Sequence, residues 1–175
     1  MINNAEKRKP FLYLLAGGAG IVLVLIDQLT KWAVRAAFSL FETKPLIPGV
    51  LDLHYITNEA AAFGLFKNQR WLFISVTAVV IIAGIVLLAA RRIGSPLLIW
   101  AASLIISGGI GNMIDRLYFG VVTDFFHVRF IPFPYIFNVA DSCVVIGAGI
   151  MILYFILDFV KGRKNQPMTD ETNAE

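Results

Sequence analysis

Four long apolar runs constrain this chain more than any other feature. A helix crossing a bilayer core needs about 20 mostly apolar residues, because each adds about 1.5 Å to a span of about 30 Å. Phe11 to Ile26 carries no charge, and its pattern continues past Asp27 to about Trp32. Trp71 to Ala90 is uncharged throughout, and Ile93 to Ile114 follows with Pro96 near its start, where a proline costs little. About Phe137 to Leu157 holds one acid, Asp141, close to its beginning. Backbone in hydrocarbon must bond to itself, so these runs predict helices rather than open strands.

Composition points the same way. The 175 residues are 58% hydrophobic and 15% charged, against roughly 45–50% apolar and about 25% charged in soluble domains. That excludes an intrinsically disordered chain and argues against a soluble enzyme. One cysteine excludes a disulfide framework or a Cys-rich zinc site, and two histidines, His54 and His127, leave little for a metal centre. The small net charge of +3, with scattered basic residues, excludes a nucleic-acid-binding surface. No phosphate loop, dinucleotide fingerprint or HExxH motif is present.

The predicted fold is an all-α membrane protein of four transmembrane helices, over about 11–32, 71–90, 93–114 and 137–157, with a small extracytoplasmic β-containing cap. The cap is drawn from outer loops over about 33–70 and 115–136. Residues 1–160 make one domain and 161–175 a polar cytoplasmic tail. Basic clusters at Lys7-Arg8-Lys9, Arg91-Arg92 and Lys161, Arg163 and Lys164 place both termini and the short turn in the cytoplasm by the positive-inside rule. Within the first loop, Leu51, Leu53, Tyr55 and Thr57 alternate with Asp52, His54 and Ile56, the period of a strand. Aromatic residues crowd both loops, among them Phe63, Phe66, Phe130, Phe133 and Tyr135, and suit a headgroup zone.

Ionisable groups near membrane depth are costly, so each needs an explanation. Asp27, Lys31, Asp115, Arg116, Asp124 and Asp141, with Asn58, Asn112 and Asn138 beside them, all fall at the outer ends of the predicted helices or in the outer loops. Asp27 and Lys31 share a helix face and can form an interfacial ion pair. Asn112, Asp115 and Arg116 follow Gly108, Gly109 and Gly111, small residues that let membrane helices approach, and read as an organising network. Asp124 and Asp141 lie in apolar surroundings, where two carboxyls have raised, coupled pKa values and can divide acid and base roles. Spacing alone equally allows Asp141 to cap the fourth helix and Asp124 to serve a turn. A transporter that uses the acids as a relay, or an assembly factor that uses them as structural pairs, are the other readings. Charges at one end of the helices, and no internal repeat, weigh against the transporter.

Five blocks, in order, resemble those of the lipoprotein signal peptidase (signal peptidase II) family. They are Asp27-Gln28-Leu29-Thr30-Lys31; Asn58-Glu59-Ala60-Ala61-Ala62-Phe63-Gly64; Gly108-Gly109-Ile110-Gly111-Asn112-Met113-Ile114-Asp115-Arg116; Val122-Thr123-Asp124-Phe125; and Phe137-Asn138-Val139-Ala140-Asp141-Ser142. Ala60 and Thr123 depart from the usual glycine and valine. The resemblance implies a bacterial inner-membrane aspartic endopeptidase. It would cut diacylglyceryl-modified prolipoproteins just before the lipidated cysteine, without cofactor or metal, in contact with membrane lipids, near the outer face, and sensitive to globomycin. It carries the catalytic roles to Asp124 and Asp141, with Asp115 the rival acid, and substrate-binding or site-supporting roles to Asn58, Asn112, Asp115, Arg116, Asn138, Asp27 and Lys31.

Overall fold

The computed structural model describes residues 4–59, 70–130 and 135–164. Four helices, α1 (Asn4–Ala37), α2 (Arg70–Ala89), α3 (Pro96–Tyr118) and α4 (Val139–Lys164), are each long and apolar enough to cross a membrane. Four strands, β1 (Thr43–Ile47), β2 (Leu51–Asn58), β3 (Val122–Val128) and β4 (Ile136–Phe137), form one antiparallel sheet in chain order. The fold is a membrane four-helix protein with a small sheet at one end.

Helix α3 is the centre, with α1, α2 and α4 all packed against it. Its small residues make this possible, since Ala101, Ala102, Ser103, Ser107, Gly108 and Gly111 are all buried. The closest approach is to the first turn of α4. A Cβ on Gly108 would stand 2.3 Å from the Ala140 carbonyl, and one on Gly111 would stand 2.6 Å from an Asp27 carboxyl oxygen. Outward faces carry exposed Leu, Ile, Val and Phe, such as Leu14, Val79, Ile82 and Ile152. In a bilayer such residues meet lipid rather than water.

Helix ends differ from the sequence expectation in ways local chemistry explains. Helix α3 begins at Pro96, in the first turn where a missing N–H costs nothing. It runs through residue 114 to Tyr118 and stops ahead of Gly120, whose φ of +81° a glycine adopts readily. Asp115 and Arg116 therefore belong to the helix and not to the following loop. Helix α1 likewise continues to Ala37 because no breaker follows Trp32. Strand β2 lies where the alternation puts it, but with its most buried residue on the polar phase. Asp52 is enclosed and accepts from the Arg129 guanidinium at 2.8 Å, while Leu51 and Leu53 are half-covered. Residues 60–64, the aromatic Phe63, Phe66 and Phe133, and the polar tail from 165 lie outside the described residues.

The first half of β3 is not on the surface. Val122, Thr123, Asp124 and Phe125 are buried where β3 meets α1 and α3. This carries an acid from the sheet into the end of the helix bundle.

Candidate active site

Asp27, Lys31, Asp115, Asp124, Asn112 and Asn138 are all buried. Such groups are tolerated only when each charge and each donor finds a partner. Their partners form two connected layers.

The lower layer centres on Lys31, which is fully buried. Its ammonium lies 2.9 Å from Asp27, 3.4 Å from Asp115 and 3.0 Å from the Asn112 side-chain carbonyl. Asp27 also accepts the backbone N–H of Ala140 at 2.9 Å, so an acid of α1 satisfies an orphan donor in the first turn of α4. Asp115 accepts the Thr123 N–H at 2.9 Å and lies 3.7 Å from Arg35. Gln28 joins Asp27 and the Gly111 carbonyl, each at 3.0 Å. One lysine thus fastens α1 to α3, and its two acids extend the tie to α4 and β3.

The upper layer holds the other two acids. Asn138 precedes α4, and its side-chain carbonyl accepts the N–H of Asp141 at 2.8 Å. In return the Asp141 carboxylate accepts the Asn138 N–H at 3.2 Å. These reciprocal bonds, three residues apart, are those of a capping box. The Asn138 amide also donates to Asp124 at 2.6 Å and to the Asn112 side-chain carbonyl at 3.1 Å, while Asn112 donates to Asp141 at 2.7 Å. Asn58, reaching from β2, donates to the second oxygen of Asp124 at 3.0 Å. Asp124 and Asp141 are therefore bridged twice, through Asn138 directly and through Asn138 and Asn112 together.

Asp124 is pushed up to about 7, first by burial and then by the negative charge of Asp141. The bonds from Asn58 and Asn138, and the Lys31 charge, oppose the rise. A carboxyl raised this far keeps its proton much closer to neutral pH than an ordinary aspartate does, the condition suited to proton transfer. Tyr135, partly exposed beside the pair, has its phenol raised by burial and by both acids, so it stays a donor.

Two clefts meet at Asp141. One, of about 320 Å³, runs between α2, α3 and α4 and is lined by Thr77, Ile81, Asn112, Arg116 and Val144 among others. The other, of about 340 Å³, lies between β3 and α4 against Phe130, Tyr135, Phe137 and Ile146. Arg116 faces the first cleft, donating to the Asn112 backbone carbonyl at 3.5 Å and lying over the Phe73 ring.

Of the nine residues singled out from sequence, Asp27, Lys31, Asn58, Asn112, Asp115, Asp124, Asn138 and Asp141 form one bonded network, and Arg116 borders it. The Asp27–Lys31 pair is enclosed rather than interfacial. Arg35, Gln28 and Thr123 were missed. Arg35 bonds the Thr123 hydroxyl at 2.9 Å and stacks on Phe119. The spacing of Asp27, Lys31 and Arg35, one helical turn apart each, is the signal that could have found it.

Comparison with known proteins places these features in context. Residues 19–157 match the family model for signal peptidase (SPase) II. The lipoprotein signal peptidase of Symbiobacterium thermophilum is 42% identical over 144 residues, covering 81% of this chain and 94% of that one. The protein of the same name from Brevibacillus brevis is 41% identical over 154 residues, covering 88% and 98%. A bacterial membrane enzyme solved by the in meso method at 2.3 Å resolution superposes with a TM-score of 0.79 at 27% identity, covering 89% of this chain and 93% of that one.

Proposed function

This chain belongs to the signal peptidase II family, and we propose that it is an aspartic endopeptidase that removes the signal peptide of diacylglyceryl-modified prolipoproteins, cutting just before the lipidated cysteine. Asp124 and Asp141 are the catalytic pair. The observation that carries this reading is the double amide bridge between these two carboxyls, at a point where two clefts meet.

The chemistry follows from the shared proton. The protonated carboxyl donates to the scissile carbonyl oxygen, and its ionised partner takes a proton from the attacking water. Water oxygen bonds to the carbonyl carbon, giving a tetrahedral gem-diol. Its collapse breaks the C–N bond as a proton passes to the leaving amine of the cysteine. Asn138 and Asn112 hold the carboxyls for this exchange, and Asn58 fixes the outer oxygen of Asp124. The α2–α4 cleft takes the apolar signal segment, with Arg116 at its polar end. The aromatic cleft takes the acyl chains on the cysteine. Asp115 is structural, since its oxygens already serve the Thr123 N–H, Lys31 and Arg35. The termini lie in the cytoplasm and the acid pair near the outer face of the bacterial inner membrane.

The test is cleavage of a lipidated precursor in detergent, with and without globomycin. Asp124→Asn and Asp141→Asn should abolish cleavage while the protein stays folded, and wild-type cleavage should be blocked by globomycin. Full activity in either variant overturns the pair. Asp115→Asn should lower thermal stability, and a stable but inactive Asp115→Asn protein would move the catalytic role to that acid.

A further inference from the structure

A second groove lies in the half of the bundle away from the acids. Helices α1 and α2 both pack on α3, and the space between them, about 360 Å³, is walled by Gly17, Val24, Ile85, Leu88, Ile99 and Ile106. It also touches two serines, but their hydroxyls are used internally. Ser103 donates to the Ala16 carbonyl at 2.5 Å and Ser107 to the Leu104 carbonyl at 3.0 Å. The walls therefore offer a ligand apolar contact and almost nothing else.

The far end of the groove is built differently. The Tyr13 hydroxyl donates to the Ile93 carbonyl, fastening α1 to the turn between α2 and α3. In that turn Arg91 and Arg92 are exposed, on a tight backbone whose N–H groups return to Leu88 and Leu87 at 3.0 Å. Two guanidinium-bearing residues thus stand within three positions of the lining residue Ala89, just past the end of the apolar span of α2.

Lining and charge select the occupant. The apolar walls suit a hydrocarbon chain. Arginine pairs suit phosphate oxygens, and basic residues at the headgroup plane attract anionic lipid. We propose that the α1–α2 groove is a binding site for an anionic phospholipid of the leaflet opposite the active site, with one acyl chain between the helices and the phosphate on Arg91 and Arg92. This inference is independent of the peptidase reading.

The full chain in nanodiscs of zwitterionic lipid, doped with phosphatidylglycerol bearing a diazirine in one acyl chain, provides the test. Photolabel should concentrate on peptides from the facing sides of α1, α2 and α3. Gly17 lines the groove and a Cβ there meets nothing within 4 Å, so Gly17→Leu adds bulk to that wall without a clash. It should cut labelling about tenfold while precursor cleavage persists. Arg91→Gln with Arg92→Gln, both exposed and harmless to folding, should cut the preference for the anionic probe over its phosphatidylcholine counterpart by about tenfold. Label spread evenly over the lipid-facing sides of α2 and α4, labelling unchanged by Gly17→Leu, or crosslinks joining two copies of the chain through the groove would each overturn the proposal.

Discussion

Asn138 does two jobs that substitution can separate. Its carbonyl caps α4 by accepting the Asp141 N–H, and its amide holds Asp124 at 2.6 Å. Asn138→Ala removes both. Losing an N-cap costs about 1 kcal/mol, and leaving a buried carboxyl oxygen without its donor costs about 1–3 kcal/mol. The expected sum is about 2–4 kcal/mol, or a fall of roughly 4–16 °C in melting temperature at about 2–4 °C per kcal/mol for a chain of this size. Asn138→Ser keeps a good cap but cannot present an amide to Asp124. It should recover about 1 kcal/mol relative to alanine yet leave precursor cleavage about 100-fold low, the cost of a mispositioned reacting group. Thermal melts and single-turnover cleavage in the same detergent read the two effects. A serine variant as active as wild type would refute the positioning of Asp124 by Asn138. An alanine variant with an unchanged melt would refute the cap.

Lys31→Met strands two buried carboxylates and should cost about 3–5 kcal/mol; adding Asp27→Asn should restore part of this, and a double-mutant cycle with no coupling would disprove the shared hub. The raised Asp124 carboxyl makes a pH prediction. A carboxyl that binds its proton more tightly when folded contributes stability fully present below about pH 4, and loses it as pH rises through about 7. Stability should therefore decline across that window in wild type and less in Asp124→Asn, as followed by melts from pH 4 to 8, while cleavage by wild type falls above about 7 as the shared proton is lost. Gly111→Ala drives a Cβ to 2.6 Å from the Asp27 carboxyl and should cost about 1–3 kcal/mol. Gly18→Ala, with nothing within 4 Å, should be neutral or stabilising by up to about 1 kcal/mol, so equal melts for the two variants would contradict the close packing of α1 on α3.

The spans were legible in the residues because a bilayer demands long apolar runs whatever surrounds them, and Trp71 to Ala90 could be nothing but α2. Strand β2 was legible from its period, though not the burial of Asp52, which depends on Arg129 arriving from the turn after β3. Helix ends were misplaced where hydropathy fell before the helix did, as at Asp115 and Arg116, because backbone hydrogen bonds continue until a breaker such as Gly120 stops them. The choice between a capping and a chemical role for Asp141 was open from spacing. In three dimensions the cap and the contact with Asn112 occur together, one carboxyl oxygen serving each.

The sequence by itself determined that the chain lives in a membrane and that its polar residues gather toward one end of the spans, since both follow from the cost of charge in hydrocarbon. Which acids meet, and what each one touches, was decided by tertiary structure alone. Asp115 and Asp124 are nine residues apart, yet one is tied off by Lys31 and a backbone N–H while the other is held by two asparagine amides beside Asp141. That difference arises from contacts between residues distant along the chain, brought together by the close approach of α4 to α3.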